Sequence, residues 1–306
     1  VIMAIAAVIH LLVALLLAPL LLGVINRTKA VFAGRRGQPL LQLYADLAKL
    51  LRKGAVYSGT TTWVFRAGPL VTLAAVTVSL LVVPFAGVRA VGAFPGDFVL
   101  FAYLLAVARF FTVIAALDTG SSFEGMGASR EVAFSALAEP ALLVGLAALA
   151  RRAGGASLSD CYEAVRLFDF GPNGGLPLLL IGAAFFVVFL AENARIPFDD
   201  PNTHLELTMI HEVMVLDHGG PDLAFVQYAA ALKLWVLGAL VVGILLPLRT
   251  GFVALDFGFG LAAMAVLAVA TGCVESTKAR VRLTGVPQLL VAATVLAGVG
   301  FGLTLR

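Results

Sequence analysis

The chain has 306 residues, of which 61% are apolar types and only 13% are charged. A typical soluble protein carries roughly 25% charged residues, and a mean hydropathy of +1.02 leaves too little polar surface for a soluble fold of this size. The composition also excludes a disordered chain, a nucleic-acid binder and a disulfide scaffold. There is no basic block, the net charge is +3, and there are two cysteines. Cys161 and Cys273 are too few and too far apart for an iron–sulfur cluster or a Cys-x-x-Cys metal pair. Any redox metal is therefore expected in a partner chain.

A bilayer is crossed by about 20 apolar residues, and runs of this kind recur at residues 1–26, 67–88, 98–117, 131–150, 170–191, 223–248, 257–274 and 283–305. The first run has neither a basic leader nor a small-residue cleavage site and is read as a retained span. The expected fold is all-α: a single polytopic transmembrane domain, residues 1–306, of about eight helices. An even number of spans puts both termini on one side. The connections after spans one, three, five and seven, with Lys233 at an adjoining helix end, hold 14 of the 21 Lys and Arg residues. The positive-inside rule places those connections in the cytoplasm and the termini outside.

Three of these connections are unusual. Within residues 38–53, QPLLQLYADLAKLLRK, Leu40, Leu43, Leu47, Leu50 and Leu51 recur at helical spacing, with Gln42, Asp46, Lys49 and Lys53 opposite. This predicts an amphipathic helix in the interface or against a partner, with Pro39 in its first turn. Residues 118–130 form a Gly- and Ser-rich connection. Residues 192–222 form an acidic loop.

Acids inside a span either pair or work, since insertion costs about 2.5–3.5 kcal/mol. Glu131, Ser135 and Glu139 are four apart and share a helix face. Pro140 follows and frees the Ala136 carbonyl. One reading is a file of water and a segment of proton path. The plainer reading is a helix start at Glu131 and a quiet Glu139–Arg109 pair. Glu192 and Arg195, three apart, are read as a local ion pair at a helix end. The acidic loop then adds Asp199, Asp200, His204, Glu206, His211, Glu212, Asp217 and His218. Asp200 to Thr203 is expected to turn into a helix that places His204 and His211 on one face. The histidine spacing is not that of a His-Glu-x-x-His zinc site, so a water-filled acidic funnel is preferred to a metal. Glu275 with Lys278, Arg280 and Arg282 is read as an ordinary orientation cluster. Trp63 and Trp235 are read as interfacial belt residues, and His10 as a packing residue.

Three blocks carry a family resemblance: RRGQPLLQLYADLAKLL at 35–51, GMGASREVAFSALAEP at 125–140 and ENARIPFDDPNTHLELTMIHEVMVLDHGGPDLA at 192–224. Together they resemble the subunit-1 family of respiratory complex I, and most closely its hydrogenase branch of formate hydrogenlyase subunit 4 and hydrogenase-4 component C. The resemblance implies eight transmembrane helices, with the long connections facing a peripheral redox arm. It implies a membrane anchor in the cell inner membrane that has no redox centre of its own. Nickel–iron and iron–sulfur centres would lie in cytoplasmic hydrogenase partner subunits, with antiporter-like membrane subunits alongside. It assigns Glu131, Glu139, Glu192, Asp199, Asp200, Glu206 and Glu212 to an ion path, with Arg195 as the paired arginine; Arg109, Ser135, His204 and His211 are candidates in support. The wording at 200–204 and 209–212 follows the hydrogenase branch, which argues against a quinone cofactor. A quinone-site core subunit and a stand-alone secondary transporter are the rival expectations.

Overall fold

The computed structural model describes residues 2–165, 175–200, 209–247 and 249–305. Among the described residues there is no strand, and eight helices are long and apolar enough to cross a membrane. They are α1 (Ile2–Phe32), α3 (Trp63–Val82), α4 (Asp97–Asp118), α5 (Ser122–Ala153), α7 (Gly175–Glu192), α8 (Gly220–Leu245), α9 (Val253–Thr277) and α10 (Val286–Leu303). Two short helices, α2 (Gln42–Leu51) and α6 (Leu158–Glu163), do not span. Helices are the outcome because a lipid-embedded backbone must satisfy its own polar groups.

Helix α8 is the centre of the bundle and packs on α1, α2, α3, α7 and α9. Its Trp235 is 1% exposed. The belt position expected for Trp235 is thereby corrected: the indole Nε1–H donates to His10 Nε2 of α1 at 3.5 Å, and His10 stacks on Phe85 at 4.8 Å. A polar-tipped aromatic ring finds its partner inside the bundle instead of at the headgroups. Trp63, at the start of α3, is exposed, as a belt residue is.

Connections gather at two ends. At one end Asp118, the last residue of α4, accepts hydrogen bonds from the Thr62 backbone (2.7 Å) and hydroxyl (2.9 Å) and from the Phe65 backbone (3.2 Å). It thereby satisfies the orphan donors at the start of α3. At the same end the connection ahead of α8 meets α3, where His218 stacks on Phe65 at 4.0 Å. At the opposite end the Gly96 backbone donates to the Ala156 carbonyl, and Arg89 pairs with Asp160 at 2.8 Å. The connections after the odd-numbered spans therefore share one end, here called the basic end.

Two local expectations change. Residues 122–130, read as a Gly- and Ser-rich connection, are the first turns of α5. Gly127 earns its place there: a Cβ would press to 2.9 Å of the Ile210 carbonyl, so only glycine lets α5 lie so close to that loop. The amphipathic helix is present, but Pro39 precedes it instead of opening it, since the Gln42 N–H already turns back to the Pro39 carbonyl at 3.1 Å. Helix α2 packs on α1 and α8. Pro19 inside α1 lacks the N–H that the Leu15 carbonyl needs; the Tyr228 hydroxyl of α8 supplies it at 2.9 Å. The Tyr44 hydroxyl of α2 donates to the neighbouring Leu16 carbonyl.

At the far end, Asp97 is fully buried and accepts from Ser157 Oγ (2.9 Å) and the Leu158 backbone (2.6 Å) at the start of α6. This fixes α6 with Cys161 buried beneath it. Burial, reinforced by Asp97 and Asp160, pushes the Cys161 thiol up to about 11. A thiol with a raised pKa stays protonated below that value, and the thiolate is the nucleophile. Cys161 is accordingly expected to resist maleimide at neutral pH in the folded protein and to react once detergent denaturation exposes it, as read by mass spectrometry.

Candidate functional site

Helix α4 sends one cation into the bundle. Arg109 makes ion pairs with Glu139 of α5 and Glu192 of α7, and its Nε lies 3.5 Å from Glu131 of α5. The four-residue spacing of Glu131, Ser135 and Glu139 does place them along one face of α5, as their sequence positions require. Ser135 donates its hydroxyl to the Val132 carbonyl at 3.1 Å, so that proton is committed to its own helix. Lys233 of α8 completes the cluster, 2.8 Å from Glu192. Lys233 sits well inside α8, not at a helix end as its use in the orientation count implies. The signal available for it is a charged residue within an apolar span.

Glu192 does not pair with Arg195. Helix α7 ends at Glu192, and Ala194 takes a left-handed backbone with φ 50°. The three-residue spacing then no longer means a common helix face, and Arg195 turns away to Glu275 of α9 at 3.4 Å. Lys29 of α1 also reaches Glu275, at 2.8 Å. Glu275, read as part of an orientation cluster, is a buried acid joining α1, α9 and the loop after α7. Burial pulls the Arg195 pKa down and the Glu275 carboxylate opposes that.

The acidic loop is held by Asp199, which pairs with Arg280 at 3.0 Å and accepts the backbone N–H groups of Ile210 (3.1 Å) and His211 (3.0 Å). Asp200 donates its own N–H to Asp199 at 3.0 Å. This grip sets His211 Nδ1 at 3.3 Å from Glu131. His211 precedes a short 3-10 turn, Glu212–Val215, and is not on a regular helix. His204 and Glu206 lie outside the described residues. Arg130 reaches the same loop by donating to the Met209 carbonyl at 2.8 Å. Two further buried groups have no signal in spacing alone. Glu124 accepts from the Asp217 backbone at 3.2 Å, and His218 is held below its usual pKa by burial, against the pull of Asp222 and Asp217.

A cavity of about 340 Å³ opens beside the cluster. Its walls include Gln42 and Asp46 of α2, Thr72 of α3, Arg109 and Thr112 of α4, Glu131 of α5, Glu192, His211 and Glu212, and Gln227 and Lys233 of α8. The cluster itself opposes three carboxylates with two fixed cations, Arg109 and Lys233. His211 lies against the cluster through its 3.3 Å contact with Glu131. Carboxylates thus outnumber cations at this buried site, in a medium that disfavours net charge.

These features define a polytopic all-α membrane protein whose interior holds a multi-helix ion network next to a polar cavity. The chain belongs to the NADH dehydrogenase family, which it matches over residues 4–303. It is 31% identical to formate hydrogenlyase subunit 4 of Escherichia coli K12 over 291 residues, covering 93% of this chain and 91% of that one. It is 33% identical to hydrogenase-4 component C of the same organism, over 76% of this chain and 72% of the relative. An NADH-quinone oxidoreductase subunit of Rubrobacter xylanophilus is 30% identical, over 67% of this chain and 61% of the relative. The fold is shared with a chain in the structure of the membrane-bound sulfane sulfur reductase, an archaeal respiratory membrane complex. There the TM-score is 0.83 at 20% identity, covering 99% of this chain and 100% of that one.

Removing Arg109 leaves Glu131, Glu139 and Glu192 facing one another with a single fixed cation. Breaking a buried pair from one side costs about 3–5 kcal/mol. Arg109→Met is predicted to lower the thermal unfolding temperature of the purified protein sharply. Arg109→Met combined with Glu139→Gln should recover part of the loss, because one unmatched charge goes with it.

Proposed function

We propose that this chain is the membrane anchor and ion-translocating subunit of a group 4 nickel–iron hydrogenase or formate hydrogenlyase-type complex. The observation that carries the reading is the Arg109 cluster: three carboxylates around one guanidinium inside the bundle, touching the polar cavity at the basic end. The relatives named formate hydrogenlyase subunit 4 and hydrogenase-4 component C support it, as does the excess of Lys and Arg at the end where the acidic loop lies. In this reading the basic end faces the cytoplasm, the complex sits in the inner membrane, and both chain termini lie on the opposite side. The peripheral hydrogenase and iron–sulfur subunits dock on the basic end and carry the nickel–iron and iron–sulfur centres. Antiporter-like subunits lie alongside in the membrane. The chain's own residues supply no redox chemistry.

The ion step follows from charge balance. In this mechanism a proton taken up by one of the three carboxylates offsets their excess over Arg109 and Lys233. Asp199 governs the position of His211, so a shift of the acidic loop, driven by redox change in the docked arm, alters the His211–Glu131 contact. A carboxylate that loses a cationic neighbour binds its proton more tightly, and one that gains a cation releases it. Arg109 contacts Glu131, Glu192 and Glu139, so a small movement of its guanidinium redistributes affinity among them. The proton passes from Glu131 and Glu192 toward Glu139. Asp200, Glu206 and Glu212 extend the path on the loop side. The transported ion is a proton, or a sodium ion by the same electrostatics.

A second reading, a quinone-site core subunit of a complex I-like oxidoreductase, is favoured by one observation: the cavity lies between α2 and the acidic loop, where such a molecule would enter from lipid. Quinone co-purifying with the complex, and redox activity blocked by quinone-site inhibitors, would establish it.

The leading reading is tested with Glu139→Gln and Glu192→Gln in the assembled complex. Each is expected to reduce ion transport per turnover by about tenfold or more, equivalent to at least ~1.4 kcal/mol on the transfer barrier. Hydrogenase activity measured with artificial electron carriers should persist. Full pumping alongside full redox activity in both variants refutes the mechanism.

A further inference from the structure

Between α1 and α3 the chain is strongly basic. Residues 27–62 hold Arg27, Lys29, Arg35, Arg36, Lys49, Arg52 and Lys53 against one acid, Asp46. Asp46 lines the cavity and accepts from the Gln42 amide at 3.0 Å. Lys29 is matched by Glu275 at 2.8 Å. Arg27, Arg35 and Arg36 are exposed, and among the described residues none of them makes an ion pair. The backbone gathers them: Gly34 and Gly37 take left-handed conformations, at φ 63° and 67°. The chain thereby doubles back on α1, and Arg27 donates to the Arg36 carbonyl.

Depth identifies the layer these cations occupy. Residues 2–26 of α1 carry no Asp, Glu, Lys or Arg, and at 1.5 Å per residue Arg27 lies about 38 Å along the helix. A hydrocarbon core is about 30 Å thick, and a bilayer with its headgroups about 40–45 Å. Arg27 therefore stands among the headgroups. Below it the surface is apolar. Leu12 and Leu16 of α1 are exposed, at 55% and 66%. Leu16 precedes Arg27 by three helical turns, so it lies on the same side, about 16 Å nearer the bilayer centre. Leu40 and Leu41, also exposed, fill the interval. Gly23 of α1 admits them, because any Cβ there would strike the Leu40 carbonyl. Unmatched cations above a stripe of aliphatic side chains fit a phospholipid, phosphate uppermost and acyl chain below.

We propose that the α1–α2 elbow is a binding site for an acidic phospholipid of the leaflet at the basic end, with its phosphate on Arg27 and Arg36 and an acyl chain along Leu40, Leu16 and Leu12. A zwitterionic lipid brings its own cation and leaves the excess guanidinium charge uncompensated. A soluble partner can cover Arg35 and Arg36 but cannot descend beside Leu16, which lies within the hydrocarbon. The occupant is therefore an anionic lipid. The site is independent of the ion path and requires only that the chain span a membrane. Its consequence falls on α2, which walls the polar cavity with Gln42 and Asp46: a lipid seated at the elbow holds that wall in place.

The test places the full chain in phosphatidylcholine vesicles containing a trace of phosphatidylglycerol that carries a photoactivatable diazirine on one acyl chain. A parallel sample carries the same label on phosphatidylcholine, and adducts are mapped by mass spectrometry. Labelled phosphatidylglycerol is expected to mark the peptides holding Leu12, Leu16 and Leu40 about tenfold more than labelled phosphatidylcholine does. Arg27→Gln combined with Arg36→Gln should remove most of that preference, at about fivefold per cation near a membrane surface. Arg27→Lys combined with Arg36→Lys should keep it, which separates loss of charge from loss of fold. Equal marking by the two lipids, marking of other peptides only, or the same loss in the Lys pair as in the Gln pair would each overturn the proposal. So would marking that is present in the isolated chain and vanishes in the assembled complex, because a protein then covers the elbow.

Discussion

A guanidinium buried inside a membrane bundle needs its charge matched by protein carboxylates. Arg109 is matched by Glu131, Glu139 and Glu192, and through them α4, α5 and α7 are tied at one depth. Lys233 brings in the central helix α8. Such networks are poor sources of stability, because desolvating each ion offsets most of the attraction gained. A packed set of leucines would hold four helices together at less cost. What the ionic solution supplies is a set of carboxylates whose proton affinities depend on the position of one cation, which an apolar core cannot offer.

The second consequence concerns the loop at the basic end. Asp199 pairs with Arg280 and collects the backbone of Ile210 and His211. Glu275 gathers Lys29 and Arg195. The loop after α7 is thus clamped to the ends of α1 and α9 on one side and touches Glu131 through His211 on the other. In the proposed function, a docked partner pulling on this loop would act on the buried cluster through a few named contacts. The cavity between α2 and the loop would leave room for such a movement.

Much of this is legible in the sequence, and the exceptions follow a pattern. Span count and the Glu131–Ser135–Glu139 stripe follow from apolar run length and helical periodicity, which are local. The pairing of Glu139 with Arg109 is also within reach, as an acid of one span and the single base of the adjacent span. Contacts between residues far apart in the chain are not: Glu192 finds Arg109 and Lys233, not its near neighbour Arg195, because the left-handed Ala194 breaks the helix between them. Lys233 and Glu275 read as markers of membrane orientation, since charge type at a span end does not reveal what the end packs against. Trp235 reads as an interfacial residue for the same reason. Residues 122–130 look like a loop because glycine disfavours helix, yet close packing of Gly127 against the Ile210 backbone favours the helix there.

If the Arg109 network carries ions, its carboxylates must change protonation when the attached redox machinery turns over. Redox-difference infrared spectroscopy of the purified complex observes this directly through the carbonyl stretch of protonated carboxyl groups. The expected result is a difference band in that region that shifts in deuterated water and disappears in Glu131→Gln. A silent carboxyl region between fully oxidised and fully reduced states, in a complex shown to pump, would contradict it.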